Sequence, residues 1–376
     1  MKKTLLHIAK YYYPVEGGIE TVTKYMADGL NSYNTYVVCF SQDGITRMDT
    51  VNGVKVYRIA PSIKISSQDI AFSYRSYLKK IIYEVQPDLI VLHCPNPFLY
   101  PIIGRLKPQN TKLVLLWHSD ILGKGLLYRL VRRAEDRILT KADLILATSP
   151  NYIHPSSPIY KFRDKTKVVP NGIIEKDFNP KKGDKERIES IRRHYGNRKI
   201  IFFVGRHANY KGINYLIEAE KYINSDCVIL IGGRGPETDR LKRMNQSDRI
   251  KFIGRVSAED LPCYYYASDI FGFTSCTKQE AFGVALAEAM YCHCVPVTFT
   301  IEGSGVNWVS LKGETGEEVA LGDTRAYAAA IDKLLSDPEL YERYAQAGKE
   351  RISKMFTCEQ SIKEMEKIFG QLLKAE

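Results

Sequence analysis

Two glutamates, Glu280 and Glu288, stand eight residues apart in the stretch EAFGVALAEAM. In one continuous helix they would lie about 80° apart around the axis and roughly 12 Å apart along it, too far for two carboxylates that share a proton. The sequence instead predicts a helix that begins near Gly283, with Glu280 in the loop before it and Glu288 on its second turn. The backbone N–H groups of Phe282, Gly283 and Val284 would then form an anion site between the two carboxylates.

A second group of residues offers positive charge. The stretch KIIFFVGRHANYKG carries Arg206 and Lys211 in one glycine-bordered loop after an apolar run. Arginine can engage two phosphate oxygens at once and lysine adds a point charge, so the pair suits a diphosphate; a merely exposed basic loop is the alternative. Glu288 could accept hydrogen bonds from the vicinal hydroxyls of a ribose, and Glu280 could face the hydroxyls of a sugar. Together these groups suit a sugar, a diphosphate and a nucleoside.

Two further motifs follow apolar runs in the N-terminal half of the chain. The stretch KLVLLWHSD ends in His118, which could bind a substrate hydroxyl, act as a base, or only fix the turn. His93 and His207 occupy similar positions, so this signal is not specific. Gly17 and Gly18 precede a predicted helix and would let a phosphate or sugar approach the backbone, although the pair alone is a weak signal that an ordinary turn also explains. They do not form G-x-G-x-x-G, so a dinucleotide-binding fingerprint is absent.

The elements that position these residues alternate along the chain. Short apolar runs such as PDLIVLHC and CVILIGG are interleaved with helical patterns, which predicts parallel sheets of the doubly wound α/β class. A polar connector with one helix interrupts the alternation after VVPNGI, and the chain is predicted to be helical from Thr324 onward. A length of 376 residues also favours two domains. Ligands of such sheets bind beyond the carboxyl ends of the strands, where all the motifs above lie.

Charge and composition narrow the function classes. The net charge of +11 arises within residues 1–170, which hold 24 Lys/Arg against 13 Asp/Glu. Such an excess attracts nucleic acid, anionic lipid or a phosphorylated substrate, or it only solubilises the surface. The eight scattered cysteines predict free thiols, because Cys292-His293-Cys294 lacks the pairing of a zinc site. The start MKKTLLHIAK predicts a first strand and not a signal peptide, and no apolar run could span a membrane, so a cytoplasmic location is expected.

Taken in order, the motifs resemble the retaining glycosyltransferases of the GT-B fold, in the group often called family 4. The resemblance extends over nearly the whole chain: the GG loop, WHSD, VVPNGI, GRHANYKG, GGRGPE and EAFGVALAEAM followed by VPV. It implies an α/β GT-B architecture of two Rossmann-like doubly wound domains facing across a cleft. Residues 1–172 would form an acceptor-binding domain and 173–355 a nucleotide-sugar-binding domain. Residues 356–376 would form a C-terminal helix that crosses back to the first domain.

The resemblance also implies roles for the residues of the second domain. Arg206 and Lys211 would clamp the diphosphate and Glu288 would bind the ribose. The nucleobase would lie near Arg255 and Val256, after the strand RIKFIG.

The remaining roles concern the transferred sugar. Glu280 would lie near it with His118 on its other side, while Gly17 and Gly18 would border the diphosphate and the acceptor. His293 departs from the family pattern, which often has glycine there; a left-handed backbone at that position would cost about 1 kcal/mol.

For the reaction, the resemblance implies hexose transfer with retention, by front-face attack in which the leaving phosphate accepts the acceptor's proton. The sequence has no Asp-x-Asp motif, so neither a metal nor another cofactor is expected. The stretch TFTIEGSGVNWVSLKGETG is similar to mannosyltransferases of bacterial surface polysaccharides, which favours GDP-mannose over a UDP-sugar as donor. A nucleotide-sugar epimerase of the same fold is the nearest rival; a dinucleotide-dependent oxidoreductase and an RNA-binding protein are disfavoured.

The expected partners are the nucleotide-sugar donor and a glycan or lipid-linked acceptor, with no nucleic acid. The stretch GKGLLYRLVRRAEDRILTK has six basic and two acidic residues between positions 124 and 141. Its polar face could rest on anionic lipid at the inner face of the cytoplasmic membrane, or its apolar face could simply pack in the core.

Overall fold

The chain divides into two compact units, and the first comprises Met1–Asn171 together with Cys358–Glu376. A computed structural model describes residues 2–15, 17–65, 68–121 and 126–374. The elements of the first unit before residue 172 are, in chain order, β1 (Lys3–Ile8), α1 (Gly18–Gly29), β2 (Tyr33–Phe40), β3 (Arg47–Val51), β4 (Val54–Ile59), β5 (Ile63–Ile65), β6 (Gln68–Ile70), α2 (Tyr74–Val85), β7 (Leu89–Cys94), α3 (Tyr100–Leu106), β8 (Lys112–Trp117), α4 (Leu126–Lys141), β9 (Leu144–Ala147) and β10 (Thr166–Val168).

The sheet of the first unit has the strand order β10-β9-β8-β7-β1-β2-β4-β3. All neighbouring strands are parallel except β3, which is antiparallel to β4. Every residue of β7 is buried, as expected of a central parallel strand covered on both faces. The chain proceeds from β1 to β2 on one side and later to β7 on the other side. The loops after β1 and β7 therefore diverge at a switch point, where open parallel sheets bind ligands.

The second unit comprises Gly172–Thr357. Its elements are, in chain order, α5 (Glu175–Phe178), α6 (Asp184–His194), β11 (Lys199–Val204), α7 (Ile213–Ala219), β12 (Cys227–Gly232), α8 (Thr238–Met244), β13 (Ile250–Gly254), α9 (Leu261–Ala267), β14 (Ile270–Phe273), α10 (Val284–Tyr291), β15 (Val295–Phe299), α11 (Val306–Val309), β16 (Glu317–Val319), α12 (Thr324–Ser336) and α13 (Pro338–Met355). The parallel sheet has the order β13-β12-β11-β14-β15-β16. Its switch point lies between β11 and β14.

The last helix, α14 (Cys358–Leu372), packs on the first unit. The ring of Phe369 meets that of Tyr33 edge-on at 6.3 Å between centroids. The Ser361 hydroxyl donates to the carbonyl of Pro170 at 2.7 Å, and Ser32 donates to Glu366 at 2.6 Å. The first unit thus contains two segments of chain.

The region predicted as a connector is part of the second unit. It contains the short helix α5 as well as α6, where the sequence predicted one helix. Arg187 of α6 donates to Glu259, just before α9, at 3.0 Å. A charge-dense sequence is therefore the solvated face of a packed helix.

Within the part of the chain that the structure describes, no helix combines the length and the apolar content needed to cross a bilayer.

Candidate functional site

The loops that follow β11 and β14 are joined at the switch point of the second sheet. The hydroxyl of Thr274 donates to the carbonyl of Lys211 at 3.0 Å, and the N–H of Cys276 donates to the carbonyl of Tyr210 at 2.9 Å. Gly212 has a φ of 61°, and a Cβ there would lie 2.2 Å from the carbonyl oxygen of Thr274. Only glycine fits at this position, so the backbone around Lys211 is fixed by the neighbouring loop.

Lys211 and Glu280 form an ion pair in which each side chain is almost wholly buried. The same carboxylate oxygen accepts a hydrogen bond from the Ser275 hydroxyl at 2.9 Å. Burial alone would lower the pKa of Lys211, but the carboxylates of Glu280 and Glu288 outweigh it and raise that pKa above its ordinary value. Lys211 is therefore a cation at every physiological pH. The sequence placed both residues in the site but did not predict that they pair.

Glu288 lies on the second turn of α10 and accepts a hydrogen bond from the Tyr265 hydroxyl at 3.0 Å. Burial raises its pKa to about 7, although that hydroxyl and the charge of Lys211 act in the opposite direction. A ligand that donates hydrogen bonds to this carboxylate favours its ionised form. Glu288 is thus poised to change its charge near neutral pH.

The helix that carries Glu288 begins where the sequence predicted. Gly283 is its N-cap with a φ of 87°, and a Cβ there would lie 3.2 Å from that of Leu286 and 3.3 Å from the ring of Phe273. The N–H groups of Phe282, Gly283 and Val284 meet no acceptor among the described residues. They are donors at the positive end of a helix, next to the Lys211–Glu280 pair.

Arg206 lies on the exposed side of the same loop. Its positive charge and that of Lys211 both lower the pKa of Tyr210, which burial otherwise raises. Both cations therefore act on one small region, as the clamp hypothesis requires. His207 does not take part, because its Nδ1 bonds Thr238 at 2.9 Å.

The loops after β12 and β13 extend this surface. The N–H of His207 donates to the carbonyl of Arg234 at 3.1 Å, and that of Gly233 donates to the carbonyl of Gly254 at 2.6 Å. Arg255 and Val256 follow directly, the arginine exposed and the valine half-buried. Loops from three adjacent strands therefore form one continuous backbone surface, on which the nucleobase was predicted to lie.

In the first unit, His118 is the last of three histidines whose side chains contact one another in a row. Its Nε2 lies 3.0 Å from Nδ1 of His93 on β7, whose Nε2 lies 3.0 Å from Nδ1 of His7 on β1. Burial lowers the pKa of His118 to about 3. Its imidazole is neutral at pH 7 but holds a proton too weakly for an effective base, so of the two chemical roles that the sequence offered, hydrogen bonding is favoured. Its backbone N–H also holds the turn by donating to the carbonyl of Cys94 at 3.0 Å.

Gly17 and Gly18 stand at the start of α1, as predicted. A Cβ on Gly17 would lie 2.3 Å from a carboxylate oxygen of Glu20, whereas one on Gly18 would meet nothing within 4 Å. Burial raises the pKa of Glu20. The close approach that Gly17 permits is thus used by the protein's own carboxylate in this structure, and Gly18 is the more open position.

Both halves of the chain match models of known families. The model described as "Glycosyltransferase Family 4" matches residues 16–176, and "Glycosyl transferases group 1" matches residues 184–351. The chain belongs to the family 4 glycosyltransferases. It is 29% identical to D-rhamnosyltransferase WbpZ of Pseudomonas aeruginosa, over 94% of this chain and 92% of that protein. It is 28% identical to O-antigen chain mannosyltransferase C of Escherichia coli, over 99% of each.

Solved structures confirm the fold class. Sucrose-phosphate synthase from Thermosynechococcus elongatus matches this glycosyltransferase with a TM-score of 0.80 at 19% identity, over 100% of each chain. Anabaena Alr3699/HepE in complex with UDP matches with a TM-score of 0.77 at 19% identity, over 98% of this chain and 100% of that one. The prediction of two Rossmann-like α/β domains of the GT-B class is therefore correct.

Sequence reasoning missed the partners that hold the glycosyltransferase's candidate residues. Tyr265 and Ser275 orient Glu288 and Glu280, and neither belongs to a motif. His7 could have been found, because it interrupts the otherwise apolar strand sequence KTLLHI. Among the described residues, no three His, Cys, Asp or Glu side chains form a group that could hold a metal ion.

Proposed function

We propose that this glycosyltransferase transfers a hexose, mannose from GDP-mannose, with retention of anomeric configuration. The acceptor would be a glycan or a lipid-linked glycan in surface polysaccharide synthesis. The observation that carries the proposal is the buried, charged Lys211, held by Glu280 beside the N–H groups at the start of α10 that meet no acceptor among the described residues. The choice of sugar is supported by the mannosyltransferase and rhamnosyltransferase named above.

The arrangement suits a reaction in which a diphosphate leaves. When the bond between the anomeric carbon and the phosphate oxygen breaks, negative charge builds on that phosphate. Lys211, Arg206 and the N–H groups of Phe282, Gly283 and Val284 are fixed positive groups that stabilise this charge. The acceptor hydroxyl forms the new glycosidic bond on the same face of the sugar, and the leaving phosphate takes its proton.

The carboxylates complete the donor site. Glu288 accepts hydrogen bonds from the two ribose hydroxyls, and Glu280 faces hydroxyls of the transferred sugar. A diphosphate supplies new anions to Lys211, so the ion pair with Glu280 weakens and that carboxylate becomes available to the sugar. Ser275 keeps it oriented meanwhile, through its 2.9 Å hydrogen bond.

The nucleobase of the donor is tested by thermal stabilisation. A ligand that binds the native state raises the melting temperature by mass action, and each buried hydrogen bond lost with the wrong base costs about 1 to 3 kcal/mol. We expect GDP to raise the melting temperature more than UDP at equal concentration. The alternative, a UDP-sugar donor, is supported by the UDP complex of Anabaena Alr3699/HepE. Stabilisation by UDP with none by GDP would establish that alternative and leave the glycosyltransferase assignment unchanged.

Metal independence is tested by chelation. If protein cations and helix N–H groups alone balance the leaving charge, turnover should persist in excess EDTA. Loss of activity that added Mn²⁺ or Mg²⁺ restores would show that a metal ion shares this task.

We also propose that helix α4 docks on anionic lipid, as a lipid-linked acceptor would require. Four basic residues recur at every fourth position along this helix and are exposed: Arg129, Arg133, Arg137 and Lys141. Leu130, beside this row, is 54% exposed. The two acidic residues of the helix leave this row unbalanced, because Glu135 and Asp136 both pair with Arg132. A basic row with an exposed leucine suits the surface of an anionic membrane.

Sedimentation with vesicles tests this surface. The double variant R133E/R137E should sediment much less with phosphatidylserine vesicles at low salt than the unaltered protein. K79E/K80E is the matched control, since both lysines are exposed on α2 and the change in net charge is the same. Failure of the unaltered protein to sediment, or equal losses in both variants, would refute docking through α4.

A further inference from the structure

The three contacting histidines of the first unit form a hydrogen-bonded row whose protons can be placed. His7, His93 and His118 come from the adjacent strands β1, β7 and the end of β8, and all three are buried. The middle histidine has one further contact: the Thr23 hydroxyl of α1 lies 3.1 Å from Nδ1 of His93. In a neutral imidazole one nitrogen donates and the other accepts, so each contact constrains the next.

Thr23 sets the direction of the hydrogen bonds along the three histidines. Its hydroxyl donates to the carbonyl of Ile19 at 2.8 Å, so its oxygen can only accept from His93. The proton of His93 must then be on Nδ1, which leaves Nε2 as an acceptor. The contact between His93 and His7 is therefore a hydrogen bond from Nδ1–H of His7 to Nε2 of His93, at 3.0 Å.

The environment of His7, at one end of the three histidines, is consistent with this direction of hydrogen bonding. Nε2 of His7 is buried and has no hydrogen-bond partner among the described residues. In the direction deduced from Thr23 this nitrogen carries no proton. The opposite direction would place an N–H there, and buried N–H groups without an acceptor are rare in proteins.

His118 is at the other end of the three histidines. Nδ1–H of His93 also faces Nε2 of His118 at 3.0 Å, so Nε2 acts as an acceptor. Because burial keeps the imidazole neutral, its single proton must be on Nδ1. Nδ1 meets no acceptor among the described residues, so its N–H is available to a ligand.

We propose that Thr23, His93 and His7 are positioning residues that hold His118 as the Nδ1–H tautomer. His118 then donates a hydrogen bond to a ligand oxygen and offers that ligand no basic nitrogen. The placement of the proton stands on the hydrogen bonds and the burial of these side chains within the first unit. Its consequence for sugar transfer rests on the proposed function.

The tautomer can be measured by nitrogen NMR on the full chain labelled with ¹⁵N-histidine. The chain has seven histidines, so deletion variants can assign the signals. We expect the signals of His118 to show a protonated Nδ1 and a bare Nε2 at pH 7. Thr23→Val should mix the tautomers of His93 and His118, and Thr23→Ser should restore the single form. The matched control is Thr35→Val on β2, whose hydroxyl has no partner among the described residues.

A protonated Nε2 on His118 of the unaltered protein would overturn the proposal, as would unchanged tautomers in Thr23→Val. Enzyme activity provides a second test. The amide nitrogen of an asparagine at position 118 would lie near the position of Nδ1, and the amide nitrogen of a glutamine would lie near the position of Nε2. We expect His118→Asn to keep at least tenfold more activity than His118→Gln. Equal or reversed activities would refute donation from Nδ1. If no nucleotide sugar is turned over, the proposed function fails, while the NMR result still decides the tautomer.

Discussion

Replacing Lys211 or Arg206 by alanine is expected to lower kcat by two orders of magnitude or more. Each variant removes a cation that faces the charge developing on the leaving diphosphate, which corresponds to about 3 kcal/mol of transition-state stabilisation. Steady-state kinetics with the nucleotide-sugar donor measure the effect. Near-normal turnover in either variant would remove that residue from the clamp.

The two variants should differ in stability. Arg206 is exposed, so Arg206→Ala should unfold like the unaltered protein. Lys211→Ala leaves the carboxylate of Glu280 buried without its partner, and breaking such a pair costs about 3 to 5 kcal/mol. The double variant K211A/E280Q removes both charges, and it should recover most of the stability without recovering activity. Recovery of activity in this variant would mean that the loss in Lys211→Ala came from misfolding and not from the missing cation.

Replacing Glu288 by glutamine is the second change with a large expected effect. An ionised Glu288 accepts hydrogen bonds from both ribose hydroxyls, and its pKa of about 7 means that the ionised fraction rises between pH 6 and pH 8. Nucleotide affinity should therefore increase by about tenfold over this range. In Glu288→Gln the affinity should be low, and only the smaller dependence due to the phosphate groups should remain. An unchanged pH dependence in the variant would contradict the ribose assignment.

The same substitution should stabilise the protein without ligand at alkaline pH. The folded-state pKa of Glu288 lies above its ordinary value, so the folded protein binds this proton more tightly than the unfolded chain does. The stability that results is complete at low pH and is lost as the pH rises through about 7. Because the side chain is half-buried, we expect Glu288→Gln to gain about 1 to 2 kcal/mol at pH 8 and little at pH 5. Denaturant unfolding at the two pH values measures this difference.

Local patterns were enough to predict most of the fold. Continuous apolar runs identified the central strands, because both faces of a parallel sheet are covered. The β3–β4 hairpin was not predicted, because β3 is the edge strand of the sheet. Its residues are exposed or half-buried, so Arg47 and Asp49 interrupt any apolar pattern. The departure from glycine at His293 raised the case of a left-handed backbone there, and its φ is 62°. The N–H groups of His293 and Cys294 donate to the carbonyls of Met290 and Ala289, the pattern that closes a helix.

The candidate site was predictable only in its motif residues. Glu280, Gly283 and Glu288 share one short stretch, and the prediction that the helix begins near Gly283 placed them correctly relative to each other. The pairing of Lys211 with Glu280 depends on two strands that are neighbours in the sheet but distant in sequence. The raised pKa of Glu288 depends on burial, which the spacing of residues does not reveal.

The central claim is that the loops after β11 and β14, with the start of α10, hold the β-phosphate of a nucleotide. Calorimetric titration with nucleoside diphosphates and the matching monophosphates, in both the guanine and uracil series, tests it most directly. We predict that the preferred diphosphate binds at least tenfold more tightly than its monophosphate, and that K211A/E280Q abolishes this difference. Equal binding of diphosphate and monophosphate by the unaltered protein, or a difference that survives in K211A/E280Q, would contradict the account.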